Sequence, residues 1–461
     1  MGTMKDTHYL TAPVASTRLP PGIPFIIGNE AAERFSFYGM RAILVVFMTK
    51  YLLDAHGQLA VMTKPEATKY YHLFVFSAYF FSIFGSIVAD VWFGKYRTII
   101  WLSLVYCLGH LSLALDDTRI GLFAGLALIA MGSGGIKPCV SANVGDQFGK
   151  SNAHLLEKVY GWFYLSINLG AFISTVLTPW LLEKYGPHVA FGVPGVLMLV
   201  ATIVFWLGRY HFVHIPARGW REVSRTLRGE SGKALLRLIP IYPCAAFFFS
   251  LADQSGSSWV LQAEDMDRHV LGFEVLESQV QAINPVLILV LTPFFTYVGY
   301  PLIDRVFRLT SLRKICIGLF MTVAASAIVA VSQEWIDAGQ TPSIGWQALA
   351  YVVITAAEVM VSITCLEFSY TQAPREAKSF VMSFYLLAIA FGNLFTMLVN
   401  WLNEIPETHA TRMTRPQYFW FFTAVILAAA VMSVVVALFY REKKYIQEEG
   451  PAASADATPS S

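Results

Sequence analysis

Charge is what this sequence has least of. Lys and Arg number 33 and Asp and Glu 31 in 461 residues, so charged residues are 14% of the chain, where soluble domains carry roughly 25%. With 56% hydrophobic residues and a mean hydropathy of +0.53, that shortage excludes a soluble globular enzyme, a disordered chain and a nucleic-acid binder of the basic type. Cysteine is scarce too. Cys107, Cys139, Cys244, Cys316 and Cys365 are odd in number and sit within or beside apolar stretches, which suits neither a secreted disulfide framework nor a structural zinc site; they read as small apolar packers. The ten histidines, His72 and His110 among them, show no metal-ligand spacing, so neither a metal nor a proton-transfer role is assigned to them. A signal peptide is also missing from the reading: the first twenty or so residues hold Pro13, Pro20 and Pro21 without a compact apolar core or a small-residue cleavage site. Asp6 stands where a myristoylation motif wants Ser or Thr. The first apolar segment is therefore expected to be a retained transmembrane helix.

Long apolar runs are what the chain has in abundance. A helix needs about 20 mostly apolar residues to cross the hydrocarbon core, and that length picks out twelve segments, near 23–53, 67–93, 97–115, 119–142, 157–182, 188–209, 234–262, 277–303, 312–333, 344–371, 377–403 and 415–440. The longest polar connection, 210–233, carries Arg218, Arg221, Arg225 and Arg228 and divides the chain into a bundle over 23–209 and another over 234–440. Residues 1–22 form an N-terminal segment, and 441–461 an Ala/Ser/Pro-rich tail expected to be partly disordered. An even number of spans puts both termini on one side. Summing Lys and Arg over the termini and even-numbered loops gives about 22, against about 8 on the other side, so both termini are expected in the cytoplasm. An arginine-rich loop at the cytoplasmic ends of helices is the ordinary topogenic signal, and no nucleic-acid partner is expected.

Two halves of six helices, an all-α membrane fold, is the layout of the major facilitator superfamily, in which substrate binds near the midplane between the halves. Gly85 to Arg97, GSIVADVWFGKYR, resembles that superfamily's signature between the second and third helices, with Asp90, Gly94, Lys95 and Arg97 in place.

Seven charges lie where lipid forbids them, and an ionisable residue inside a span is a functional hypothesis by default. On the first span Glu30, Glu33, Arg34, Phe37, Tyr38 and Arg41 fall within an arc of about 140° at 100° per residue, a polar stripe roughly 16 Å long. Two acids and two bases on one stripe must face a wet cavity or another helix, and buried ion pairs add too little stability to be explained as packing alone. Lys137 follows Gly132, Gly134 and Gly135 in GSGGIKP on the fourth span; no strand precedes these glycines and no Ser or Thr follows the lysine, so a phosphate loop is excluded, and the glycines read as allowing close helix approach. Asp253 on the seventh span and Glu358 on the tenth complete the set. Such groups are neutral together only if they converge. Convergence has a use: an anionic substrate group that competes for a cation strips a carboxylate of its partner, and that carboxylate then takes up a proton more readily. Glu367, on the helical face opposite Glu358, and Asp304, at a span end, read as structural.

GNEAAERFSFYGMR resembles the E-x-x-E-R-F-x-Y-Y-G signature of the proton-coupled oligopeptide transporter (POT) family, and FYLSINLGA, Phe163 to Ala171, resembles its F-Y-x-x-I-N-x-G motif. GSGGIKPCVSANVGDQF, ADQSG, INPVLI and the stretch from Glu358 through EFSYTQAP are similar to that family's fourth, seventh, eighth and tenth helices. The resemblance covers both halves. It implies a symporter, not an enzyme, that imports di- and tripeptides, and peptide-like drugs, by alternating access. It implies no cofactor, a proton gradient as the driving force, and a functional monomer in the inner membrane of a bacterium.

By the same resemblance, Glu30 and Glu33 handle the proton with Arg34 and Lys137 as exchangeable partners. Arg41 and Lys137 hold the peptide carboxylate, Glu358 with Asn168 and Asn284 binds the ammonium or backbone, and Arg41 and Asp253 pair as a gate between the halves. Tyr38 and Tyr79 line the pocket, and Ser362 is a further substrate-binding candidate; a broad-specificity site also needs roomy apolar walls, for which Phe249, Tyr385, Trp259 and Phe384 are candidates, although aromatics on membrane helices more often pack. The chain departs from the pattern at Phe37, Phe249 and Tyr385, where the family has tyrosine, tryptophan and tryptophan. The short 210–233 linker leaves no room for the two extra helices of many bacterial members, and the loop from Glu334 to Ser343 none for the large luminal domain of mammalian ones. The competing expectations are a family member that moves another anionic or zwitterionic solute, and a non-transporting membrane receptor.

Overall fold

The computed structural model describes residues 9–221, 224–225, 230–270, 272–371, 378–405 and 410–440; the expected tail 441–461 lies outside them. Among the described residues, ten helices are long and apolar enough to cross a membrane. The other two crossings are the ones whose chemistry breaks the rule. The first, α1 (Ile23–Lys50), holds the four charges of the polar stripe. The seventh, α7, is interrupted: it runs Tyr242–Ala252, tightens through Asp253–Gly256, and resumes as Ser258–Ala263 after Ser257 at φ −133°, ψ −90°.

The remaining spans are α2 (Lys64–Val88), α3 (Lys95–Leu115), α4 (Arg119–Asp146), α5 (Leu156–Tyr185), α6 (Pro187–Leu207), α8 (Ile283–Phe294, prolonged by Phe295–Gly299 and Tyr300–Val306), α9 (Ser311–Asp337), α10 (Gly345–Glu358, prolonged by Val359–Ile363 and Thr364–Thr371), α11 (Lys378–Asn403) and α12 (Arg415–Phe439). The continuous seventh helix expected over 234–262 needs correction. A separate short helix, Glu230–Leu238, precedes α7, because Pro240 has no N–H to donate and pushes the residue before it out of the helical region. The widened turns at Phe295–Gly299 and Val359–Ile363 have π geometry, a form frequent at functional sites, and the second begins directly after Glu358.

The apolar interior forms two main clusters. One draws mainly on α1 to α6, from Ile23 to Phe212, and takes in Val260 and Leu261 of α7; the other draws mainly on α7 and α9 to α12, from Leu235 to Ala430, and takes in Val91. Within the first, glycines set how closely helices approach. A Cβ on Gly85 would fall 2.3 Å from the Gly135 Cα, and one on Gly134 2.3 Å from the Ala78 carbonyl, so α2 and α4 meet backbone to backbone. A Cβ on Gly170 would reach 2.6 Å from the Ala31 carbonyl, which seats α5 against the charged stretch of α1. Gly85→Ala is expected to cost about 1–3 kcal/mol or more through overpacking, read as a lowered thermal midpoint in detergent.

Both described ends of the chain lie on one face, termed here the terminal face. There Tyr9 stacks on His214 with ring centroids 4.3 Å apart and Leu10 bridges to Val213. The distal face carries the end of α1 at Lys50 and a small hairpin that pairs His269–Val270 with Phe273–Glu274. All five cysteines are free.

Candidate functional site

The α1 stripe is buried: Glu30 is 4% exposed, Glu33 0% and Arg34 9%. One guanidinium serves two carboxylates, with Arg34 Nε 2.8 Å from Glu30 Oε1 and 2.6 Å from Glu33 Oε2. The Ser133 hydroxyl donates to the second oxygen of Glu33 at 3.4 Å. Two negative charges against one positive leave the cluster one charge short of neutrality, a deficit that a buried site meets with a further cation or a proton.

Lys137 comes from α4 but does not join that ion cluster. Its Nζ lies 3.9 Å from the centroid of Phe37 and 4.2 Å from that of Tyr79, and among the described residues it has no hydrogen-bond partner. The ammonium is held between two aromatic faces.

One turn further along α1, Arg41 donates from Nε to the Tyr71 hydroxyl at 2.5 Å and from Nη2 to Asp253 Oδ1 at 2.5 Å, so it ties the two halves together. The tightened turn in α7 positions Asp253 for this, and Asn393 on α11 donates to its other oxygen at 2.7 Å. Beside the pair, the His72 ring spans between Asn393 Oδ1 at 2.8 Å and the Ser257 hydroxyl at 2.9 Å. Tyr71, His72 and Asn393 were not expected to take part. A lone Asn inside the apolar run LLAIAFGNLFTML is the sequence signal that points to one of them.

Glu358 faces the same space from α10. Asn284 donates to Glu358 Oε2 at 2.8 Å and to the Thr355 hydroxyl at 3.1 Å, and no cation is paired with Glu358 among the described residues. Tyr38, Arg41, Tyr79 and Asn168 from the first half, and Phe249, Asp253, Asn284 and Glu358 from the second, line one cavity of about 210 Å³. Tyr164, Gln281 and Tyr351 also line it and were not anticipated.

Three expected residues stand back from this lining. Lys137 lies behind the Tyr79 ring. Ser362 and Tyr385 bond to each other through their hydroxyls at 2.7 Å, and Tyr385 packs 6.4 Å behind Phe249, centroid to centroid. Trp259, weighed as a pocket wall or as packing, packs: it is 1% exposed and lies edge-to-face on Tyr351 at 5.2 Å in the second half's core. Phe384 likewise packs against that core.

The two halves are joined unevenly. Beyond Arg41–Asp253, toward the distal face, Lys50 pairs with Glu277 at 2.6 Å and Glu264 at 3.1 Å, Lys64 with Glu264 at 2.7 Å, and Lys69 with Glu404 at 2.6 Å. Among the described residues, no ion pair joins the halves on the terminal side of Arg41. Toward that side the Ser86 and Ser383 hydroxyls meet at 2.9 Å. Larger hollows, of about 720, 500 and 440 Å³, lie amid the distal ion pairs and away from the stripe.

Glu277 sits in a connection outside the spans. Burial pushes its carboxyl up, but hydrogen bonding from Lys50 and the Lys50 and Arg268 charges outweigh burial and hold it below the usual carboxylate range. A carboxylate whose pKa is depressed in this closed arrangement supports it above the group's ordinary pKa and loses that support only as pH falls through the depressed one. Acidification from pH 7 to 5.5 is therefore expected to leave the Lys50–Glu277 latch closed, checked by spin-label distances across the distal face.

A membrane protein of two helical bundles, with a charged cavity between them and the major facilitator fold, is the class these features define. The family model described as "POT family" matches residues 96–227 and 218–421, and the chain belongs to that family. Human solute carrier family 15 member 2 is 36% identical over 403 residues, 76% of this chain and 54% of that protein. Peptide transporter 3 of Caenorhabditis elegans is 37% identical over 363 residues, 68% of this chain and 51% of that protein. The chain spans about half the length of the curated relatives it matches. Among solved structures, the POT family transporter PepTSo superposes with a TM-score of 0.82 at 35% identity, over 92% of this chain and 99% of that one. An auto-inhibited POT family peptide transporter gives 0.83 at 37%, over 93% and 99%.

Proposed function

We propose that the chain is a proton-coupled symporter that imports di- and tripeptides by alternating access. One observation carries the reading: among the described residues, a carboxylate without a cation, Glu358, lines the cavity from one half, and an ammonium without an anion, Lys137, stands behind the cavity's Tyr79 wall in the other. A zwitterionic peptide brings the two missing charges, its carboxylate to Lys137 and its ammonium to Glu358. Side chains vary between peptides while termini and amides do not, so a broad-specificity site clamps the termini and the backbone. Asn168 and Asn284 offer amides for the backbone, and Tyr38, Tyr79 and Phe249 form the walls, with Tyr385 and Ser362 behind them.

Coupling follows from shared cations. Arg34 holds Glu30 and Glu33 together; a proton on one carboxylate lets the cluster stay neutral while Lys137, and Arg41 once its gate opens, attend to the substrate. The terminal face is taken as cytoplasmic, in the inner membrane of a bacterium, and the protein as a functional monomer that needs no cofactor. The ionic distal face then makes this the conformation closed to the outside. Peptide transporter family 1 of Drosophila melanogaster, 36% identical over 66% of this chain and 46% of that protein, supports peptides as the cargo.

The test is competition for labelled dipeptide uptake in proteoliposomes. Free dipeptide is expected to compete at least about tenfold better than its N-acetylated form, the loss expected when a buried charge is left unpaired, and Glu358→Gln is expected to narrow that gap. Equal competition by the two in the wild type overturns the ammonium assignment.

A further inference from the structure

Lys137 presents a problem that the proposed function leaves open. A buried ammonium ordinarily takes a carboxylate or several hydrogen-bond acceptors, because an unpaired buried charge is costly. Glu33, on the facing helix, would supply one, yet it is committed to Arg34 at 2.6 Å and Ser133 at 3.4 Å. The Lys137 Nζ instead rests over two rings, at 3.9 Å and 4.2 Å from their centroids, both inside the roughly 6 Å over which an aromatic face attracts a cation.

The Phe37 ring is fixed for this task. It is 0% exposed, meets Tyr38 edge-on at 5.5 Å and an interplanar angle of 86°, and packs on Phe74 at 6.1 Å. Its neighbours therefore set the plane of the ring, and the face is what remains for Lys137. Phenylalanine also has no hydroxyl through which to bond the ammonium or draw it to the ring edge. Tyr79, the other wall of the sandwich, lines the cavity, so the cation waits directly behind the cavity surface.

We infer that Phe37 is a positioning residue: with Tyr79 it holds the Lys137 ammonium between aromatic faces, off Glu33 and ready for the carboxylate of the substrate. This rests on the proposed peptide site and adds to it the means by which an unpaired cation is kept in place. The aromatic faces stabilise the charge without neutralising it. A carboxylate entering the cavity therefore finds a cation that it need not first win from an internal acid. The departure from the family pattern at position 37 becomes a functional feature of this chain.

The experiment incorporates 4-fluoro-, 3,5-difluoro- and 3,4,5-trifluorophenylalanine at position 37 of the full-length protein in proteoliposomes. Fluorine drains the ring face of its negative potential at almost constant shape. The half-saturating dipeptide concentration is expected to rise stepwise, two- to threefold per step and about tenfold at the trifluoro ring, with kcat moving less. The preference for a free-acid dipeptide over its C-terminal amide is expected to shrink in parallel, a ratio that a merely structural role would not move. Phe37→Leu is expected to match or exceed the trifluoro effect, and Phe37→Tyr, which keeps the ring face but adds a competing hydroxyl, to fall between Phe37→Leu and the wild type.

A flat fluorine series, in a protein where Lys137→Ala abolishes the free-acid preference, overturns the inference and leaves the peptide site standing. A Lys137→Ala variant that keeps both uptake and the free-acid preference overturns the carboxylate assignment itself, and the inference with it.

Discussion

Glu33→Gln is expected to bring accumulation of peptide to an end while exchange of labelled for unlabelled peptide across the membrane continues. A pH gradient of one unit is worth about 1.4 kcal/mol per proton, so a one-proton symporter concentrates its substrate up to about tenfold; in the variant the ratio is expected to fall to one. The reason lies in the cluster at the centre of α1. Glu33 is fully buried and shares the Arg34 guanidinium with Glu30. An amide in its place removes the excess negative charge, and with it the need for a proton that enters and leaves. The cavity lined by Tyr38, Arg41 and Glu358, the proposed path for peptide, is left intact. Accumulation retained at the wild-type ratio would remove Glu33 from the coupling machinery.

The second large effect is expected at the joint between the halves. Asp253→Ala leaves Arg41, 9% exposed, with the Tyr71 hydroxyl and no counter-charge, and takes an acceptor from Asn393. Breaking one side of a buried pair costs about 3–5 kcal/mol, which shifts the balance between the distal-closed and distal-open states by a factor of about 10² to several 10³. Of the remaining bridges, those made by the half-exposed Lys50 sit nearer solvent and contribute little each, while Lys69–Glu404, about as buried as Arg41–Asp253, stays in place. Spin labels at exposed Gln58 and Phe273, on opposite halves of the distal face, are expected to report a longer mean separation in the variant. A distance distribution identical to the wild type would mean that the gate is held elsewhere.

Much of this layout was legible in the sequence because lipid makes charge conspicuous. Glu30, Glu33 and Arg34 stood out as a stripe by periodicity alone, and the structure puts them within one ion cluster. Glu358 stood out as a lone acid in an apolar run. The contact between Arg41 and Asp253, separated by 212 residues, was within reach only through the family resemblance, since periodicity orders residues on one helix and says nothing about which helices meet.

What stayed hidden follows from the same limit. The partners of Lys137 are rings on α1 and α2, and an aromatic residue on a membrane helix carries no mark that separates packing from cation binding. Tyr71, His72 and Asn393 are uncharged polar residues, which the bilayer tolerates at modest cost, so they did not announce themselves as charges do. The break in α7 that presents Asp253 depends on Ser257 leaving the helical region, a local choice that the run SLADQSGSSWV does not reveal.

The coupled movement of peptide and proton through this cavity is the proposal on which every other expectation rests. Its most direct test is uptake of a labelled dipeptide into proteoliposomes, outside acid by one pH unit, with and without a protonophore. Inside-to-outside ratios that rise toward about ten per coupled proton, and collapse to one when the protonophore is added, are the predicted result. A ratio that stays at one with the gradient in place would contradict it.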